Sequence, residues 1–371
     1  MKVLLVATVQ SHICQFHRPL VAMLHEHGCE VHVAARNNLA EKNGLKLDFV
    51  EQVFDVPFQR SPFSPKNLGA YKQLKKIIDE GSYDVIHCNT PVGGVLGRLA
   101  ARKARKHGTK VFYTAHGFHF YKGAPKKNWL IWYPVEKFMC RYTDKLITIT
   151  QEDYDLASAK FPTQVERIHG VGANSAKYRK LSEAECLELR HELGYADDDK
   201  LLLCTGELLP NKNQITAIRV MKALIDQQPK AKLLLAGNGP TLPEFQAEAA
   251  ALGLQNYVEF LGYRTDLERY ANIADVIVSC SYREGLPMNI VEGMLLSKPV
   301  AASYNRGHRE LIVPDVTGYM VPPADVDAFA EKILLLLNDP VLADRMGHAG
   351  YEKARKYTDK SVCVELKAIY F

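Results

Sequence analysis

Closely spaced cysteine pairs are missing from this chain. Its eight cysteines (Cys14, Cys29, Cys88, Cys140, Cys186, Cys204, Cys280 and Cys363) are scattered, with no C-x-x-C among them. That spacing argues against a disulfide framework or a cysteine-built zinc site and points to buried, reduced thiols. No apolar run approaches the roughly 20 residues that a membrane-spanning helix needs. Charge of one sign is also scarce. A net charge of +5 suits an anionic substrate or an acidic membrane surface, and is too small to argue for nucleic acid. Repeats and low-complexity segments are lacking.

What is present is ordinary for a globular protein: 371 residues, 47% hydrophobic and 24% charged, enough for two or three domains with proper cores. Met1-Lys2 followed by Val3–Val9 mimics a short signal peptide. No small-residue cleavage site follows, and His12 and His17 come too soon, so a first β-strand is expected and the protein should stay inside the cell.

The first half alternates β-branched runs with amphipathic segments. Strands are expected at Val3–Val9, Glu30–Ala35, Phe49–Val56, Val85–Cys88, Lys110–Ala115, Leu146–Thr150 and Val165–His169. Helices are expected at Asn67–Glu80, Gly93–Lys106 and Asn128–Tyr142. The pattern pauses at the glycine-rich Gly170–Asn174 and restarts with a helix near Glu183–Leu193. A second strand series follows: Leu201–Thr205, Ala231–Ala236, Tyr257–Leu261, Val276–Cys280 and Pro299–Ala302. From Asp339 onward only helices are expected. Strand–helix alternation predicts α/β domains with parallel sheets. Two Rossmann-like halves are therefore expected, with ligands beyond the carboxyl ends of the strands in a cleft between them.

One stretch of the second half carries the most chemistry. Glu284 and Glu292 are separated by seven residues, with Gly285 and Pro287 just after the first. Pro287 suits a helix start rather than a helix interior. Glu284 then belongs to the loop and Glu292 lies about a turn inside, so both can face one ligand lying across the helix N-terminus. Free amides make that N-terminus an anion site. An anion flanked by hydroxyl-rich parts fits, which describes a sugar nucleotide.

Four other strand ends add candidates. Gly206 and Lys212 follow one strand, with Asn211 or Asn213 as a helix cap. A lysine in a first helical turn is unfavourable by a few tenths of a kcal/mol, roughly, unless an anion binds there; a solvated lysine is the plainer reading. Gly237-Asn238-Gly239-Pro240 is either a turn or a ligand contact. Tyr263 and Arg264 end a third strand, where they either flank a nucleobase or only turn the chain. Asn305-Arg306-Gly307-His308-Arg309 end a fourth, as cation site or solvated charge run.

Together these residues resemble the retaining glycosyltransferases of family 4, with GT-B architecture. Glu284…Glu292 matches that family's E-x7-E motif. Gly206, Lys212, Gly237–Pro240, Gly262, Asp275, Gly307, Glu310 and Gly318 fall at its other landmarks, so the likeness covers nearly the whole chain. Tyr83–Gly97 and Tyr113–His119 are further similar to the EpsD-like group of bacterial exopolysaccharide and capsule assembly. The resemblance implies an acceptor domain over 1–175, a donor domain over 176–354 and a last helix, 355–371, returning to the first domain. It implies Lys212 on the donor diphosphate, Glu292 on the ribose, and Glu284 with the amides of Gly285 and Leu286 on the transferred sugar. His116 would contact that sugar. Asn238, Gly239, Tyr263 and Arg264 would belong to the donor site.

Two departures stand out. Family members often carry arginine five residues before the motif lysine; here that position is Glu207. Arg306, Arg309 or Arg264 are the candidates to replace it. A Gly-Gly pair is also missing from the first strand-to-helix loop, Thr8–His12, which leaves Ser11 or His12 as its acceptor contacts.

No D-x-D suited to holding Mg²⁺ on a diphosphate is present, so neither metal nor cofactor is expected. Both tryptophans, Trp129 and Trp132, lie among lysines in Phe118–Tyr133. That composition suits either a membrane interface with anionic headgroups or a core helix with a basic entry loop. The implied activity moves a hexose or N-acetylhexosamine from a UDP-sugar to a polyprenyl-diphosphate-linked saccharide at the inner membrane face. A GT-B-shaped sugar-nucleotide epimerase, or a binding partner without catalysis, are the alternatives.

Overall fold

The computed structural model describes Met1–Glu41 and Gly44–Phe371. The chain divides into two compact units, Met1–Gly172 with Asp359–Phe371, and Ala173–Thr358. It passes between them at 172–173 and again at 358–359. Each unit is an α/β layer structure around one parallel sheet.

The first sheet comprises β1 (Lys2–Val9), β2 (Glu30–Arg36), β3 (Gln52–Asp55), β4 (Val85–Asn89), β5 (Lys110–Ala115), β6 (Lys145–Thr148) and β7 (Gln164–Arg167). Their order is β3-β2-β1-β4-β5-β6-β7. Central strands of a parallel sheet are covered on both faces, which is why Val3–Ala7 and Val85–Asn89 are buried throughout instead of alternating. The second sheet comprises β8 (Lys200–Thr205), β9 (Ala231–Ala236), β10 (Val258–Gly262), β11 (Val276–Ser279), β12 (Val300–Ser303) and β13 (Tyr319–Val321). Its order is β10-β9-β8-β11-β12-β13. In both sheets the order reverses once, between β1 and β4 and between β8 and β11. Such switch points open a crevice at the carboxyl ends of the strands.

Several expected elements differ in extent. Residues 49–51 are outside β3, an edge strand whose Val53 is exposed. β13 was not anticipated, because three residues after Gly318 carry too little periodicity to read. The expected helix Gly93–Lys106 begins at Pro91, with proline in its first turn, and is broken at Ala101. There is no loop after β1: the strand ends at Val9 and a helix begins at Gln10.

The last helix, Asp359–Tyr370, is part of the first unit. Tyr370 Oη lies 2.5 Å from His87 Nδ1, Lys145 Nζ donates to Ile369 O at 2.6 Å, and Glu365 pairs with His169. His87 is wholly buried and its pKa is driven down to about 3 by burial and by neighbouring His116. The helix therefore completes the hydrogen bonding of a neutral imidazole inside the sheet layer.

Candidate functional site

In the second unit the crevice is built by loops that touch one another through glycine. Gly237 has φ +148°, and a Cβ there would stand 1.9 Å from Gly206 O. Gly206 N donates to Ala236 O, Gly237 N to Gly262 O, and Leu208 N to Asn238 O. The turns after β8, β9 and β10 are thus stitched edge to edge, and Gly237 and Gly239 are required by backbone approach within the protein itself. Tyr263 is exposed beyond β10. Arg264 is not a loose cation: its guanidinium is bound bidentately to Asp266, at 2.8 and 2.6 Å, and lies over the Tyr270 ring.

Lys212 does not stand in a helical first turn. It closes the 3₁₀ turn Pro210–Lys212, and the helix Gln214–Leu224 starts after Asn213, which takes the left-handed conformation at φ +54°. Asn213 Nδ2 holds Cys280 O and Pro323 O at 3.0 and 2.8 Å. This bracing aims Lys212 across to Glu284, with Nζ 2.7 Å from Oε1. Only 27% and 12% of the two side chains are exposed, so the attraction is screened less than in a surface pair.

Glu284 is in a loop and Pro287 precedes the helix Met288–Leu295, which puts Glu292 just over a turn inside. Among the described residues, the amides of Gly285, Leu286, Met288 and Asn289 have no partner within the chain. They face the region a ligand anion would take at a helix start. Burial pushes the Glu292 carboxyl up to about 7, against the opposing pull of the Tyr178 hydroxyl and the Lys177 ammonium. Gly307 packs so closely that a Cβ would meet Glu284 Cβ at 2.6 Å and Gly285 O at 2.7 Å. Arg306 is buried at the start of the short helix Arg306–Leu311, and Arg309 is exposed over the Tyr304 ring.

Tyr178 and Asn289 were not anticipated as parts of this site, and His308 was expected only as part of a cation site or charge run at the fourth strand end. His308 is fully buried between Ser279 Oγ (3.0 Å) and Ser303 O (2.6 Å), and fixes the loop that carries Gly307. Asn289 Nδ2 ties the helix start to Thr205 O at 3.2 Å. Their contacts could not be read from the sequence, because those of His308 and Asn289 exist only once β8, β11 and β12 are adjacent.

In the first unit, His116 follows β5 and meets two partners: His12 Nε2 at 3.3 Å and Asn89 Oδ1 at 3.1 Å. His17 joins them, with ring centroids 5.2 Å from His12 and 5.8 Å from His116. Burial lowers the pKa of all three, that of His116 to about 4, and mutual repulsion adds to the effect on His12 and His17. Next to Asn89, Thr90 holds a positive φ of 62°, a strained backbone of the kind found where geometry is over-determined. Ser11, expected as an acceptor contact, donates its amide to Asn38 Oδ1 and accepts from Asn38 Nδ2 at its hydroxyl.

The tryptophans, expected either at a membrane interface or on a core helix, pack partly inward. Trp129 and Trp132 on the helix Lys126–Met139 are half-buried against the core of the first unit, with Trp129 Nε1 donating to Tyr121 O at 3.3 Å. Arg98, fully buried, sets this orientation: it donates to Gly94 O and to Glu136 Oε2 (2.9 Å) and lies 3.8 Å from the Tyr113 ring centroid. The exposed apolar residues of the helix are instead Leu130, Ile131, Val135 and Phe138.

Two parallel Rossmann-like sheets, each with a switch-point crevice, define a GT-B fold, and the second crevice offers a cation, two carboxylates and a helix N-terminus. Known proteins agree with this. Residues 187–353 match the model for "Glycosyl transferases group 1" and residues 2–150 that for "Glycosyl transferase 4-like". A Bacillus subtilis (strain 168) protein named "Putative glycosyltransferase EpsD" is 44% identical over 100% of this chain and 96% of its own length. The chain belongs to the group 1, family 4-like glycosyltransferases. It is also 25% identical to an Escherichia coli UDP-Gal:alpha-D-GlcNAc-diphosphoundecaprenol alpha-1,3-galactosyltransferase, over 82% of this chain and 81% of that one. Among solved structures, Anabaena Alr3699/HepE in complex with UDP and glucose aligns with TM-score 0.80 at 21% identity, covering 100% and 99% of the two chains. No described helix is long and apolar enough to cross a membrane.

Proposed function

We propose that this glycosyltransferase takes a hexose or N-acetylhexosamine from a UDP-sugar, with retention and without a metal, and passes it to a polyprenyl-diphosphate-linked saccharide in exopolysaccharide or capsule assembly. The observation that carries this reading is the sheltered Lys212–Glu284 pair at the start of the helix that holds Glu292. The galactosyltransferase relative's lipid-diphosphate acceptor and the EpsD relative support the acceptor class.

Cleaving a glycosyl–diphosphate bond builds negative charge on the leaving phosphate. Lys212 and the unpartnered amides at the helix start supply fixed positive potential there, and one well-placed donor is worth about 3 kcal/mol. Donor binding would exchange the Lys212–Glu284 contact for Lys212 on phosphate and Glu284 on sugar hydroxyls. Glu292 and Tyr178 would hold the ribose. The acceptor then attacks from the face that the phosphate leaves, and the phosphate takes its proton; neither glutamate serves as a covalent nucleophile. His116 is the group of the first unit that the family likeness assigns to the donor sugar.

The helix Lys126–Met139 would rest on the inner membrane face, through Leu130, Ile131, Val135 and Phe138 with Lys126, Lys127 and Lys137 at their edge. An apolar stripe with a basic rim matches an anionic interface.

A panel of UDP-sugars with a lipid-linked acceptor tests the reaction, with product anomeric configuration read by NMR and a chelator control. Retention with undiminished turnover in chelator is expected; inversion, epimer formation, or hydrolysis without transfer would overturn the reading. Co-sedimentation with anionic vesicles should drop in the Leu130→Ser/Phe138→Ser double variant. Equal sedimentation of variant and wild type would remove the membrane role from this helix.

A further inference from the structure

The histidines at the first switch point are more than one sugar contact requires. One ring nitrogen from each of His12, His17 and His116 lies within 4.8 Å of the others. They come from three places: the helix after β1, the junction between that helix and the next, and the end of β5. Asn89 Oδ1, at the end of β4, adds an oxygen 3.1 Å from His116 Nε2, and its own Nδ2 is directed to His87 O.

A hydrogen bond from His116 Nε2 to Asn89 or to His12 accounts for part of this arrangement. It leaves His17 over. Its Nε2 is buried without a partner among the described residues, and the side chain is 4% exposed. An unpaired buried polar atom normally costs about 1–3 kcal/mol and implies a group that completes it.

Distances indicate what that group is. In tetrahedral coordination with Zn–N bonds of about 2.0–2.1 Å, ligand atoms stand about 3.3–3.4 Å apart. The His12–His116 separation of 3.3 Å and the His116–Asn89 separation of 3.1 Å are close to such edges. His17 needs only to close from at most 4.8 Å to about 3.4 Å. Three imidazoles and one amide oxygen, with no carboxylate or thiolate, form a set that favours a borderline-soft divalent ion over Mg²⁺ or Ca²⁺.

We propose that His12, His17 and His116, with Asn89, form a binding site for a divalent transition-metal ion of the zinc class, an ion that takes no part in the transfer step but shares His116 with it. Occupancy would engage His116 and so hold the enzyme inactive. That consequence rests on the role given to His116 above, whereas binding itself does not.

The test uses the full chain stripped of metal and titrated with zinc against a colorimetric chelator. One zinc per chain with micromolar or tighter affinity is expected. His17→Ala and His12→Ala should each weaken it by at least about tenfold, and exposed His107→Ala should not. Because loss of buried His17 threatens folding, cobalt is titrated into the wild-type protein as well, where tetrahedral d–d absorption is expected. No zinc binding, no tetrahedral cobalt spectrum, or equal affinity in folded His12→Ala and wild type would each overturn the proposal. A water molecule bridging the three rings predicts the first two of these outcomes.

Discussion

Glu292 offers a test in which stability and function move in opposite directions. Its carboxyl is raised from 4.5 to about 7, chiefly by burial. An acid raised in the folded state binds its proton more tightly there than in the unfolded chain. Its contribution to stability is therefore neutral below pH 4.5, grows more unfavourable between pH 4.5 and about 7, and levels off above that. At 1.36 kcal/mol per pH unit, the 2.5-unit difference gives a ceiling of about 3 kcal/mol above pH 8. Glu292→Gln removes the charge and keeps the shape, so it should stabilise the second unit by up to that amount at pH 8 and not at all at pH 4.5. For a unit of this size the gain in Tm is roughly 6–12 °C, followed by circular dichroism at both pH values. The same variant should bind UDP-sugar more weakly, raising KM more than it lowers kcat. A Tm gain that is equal at both pH values, or a loss at pH 8, would refute the reasoning about burial. Unchanged KM would remove Glu292 from the donor site.

Gly307→Ala places a methyl 2.6 Å from Glu284 Cβ, so kcat should fall by about tenfold or more while UDP affinity, read by calorimetry, changes little. Lys212→Ala removes a phosphate donor and leaves Glu284 unpaired; a kcat loss of about 100-fold is expected, and steady-state kinetics near wild type would sink the assignment. Tyr370→Phe strips His87 Nδ1 of its partner and should cost the first unit about 1–3 kcal/mol in urea unfolding. Arg98→Ala breaks a buried pair with Glu136 and should cost about 3–5 kcal/mol, much of it recovered in Arg98→Met/Glu136→Leu.

The fold was readable wherever a local pattern was long enough. Strand–helix alternation marked twelve of the thirteen strands and announced two parallel sheets; β13 is three residues long and carried no comparable signal. The helix start at Pro287 was legible because proline at a helix N-terminus is a local preference. Lys212 was less so. Asn213 does stand at the N-cap, one of the two positions expected, but the 3₁₀ turn that holds Lys212 ahead of it and the contacts from Asn213 to Cys280 and Pro323, far along the chain, had no local signal.

Chain order alone therefore settled which carboxylates share a helix start, since seven intervening residues and one proline fix that locally. Pairing was a different matter. Lys212 and Glu284 are 72 positions apart, and His12 and His116 are 104 apart. They meet because parallel crossovers bring strand ends together at the two switch points, a consequence of sheet order that no short window contains. The tryptophans make the same point in reverse. Composition left them between a lipid surface and a core helix, and the Arg98–Glu136 anchor, formed across two helices, decided which face of theirs turned inward.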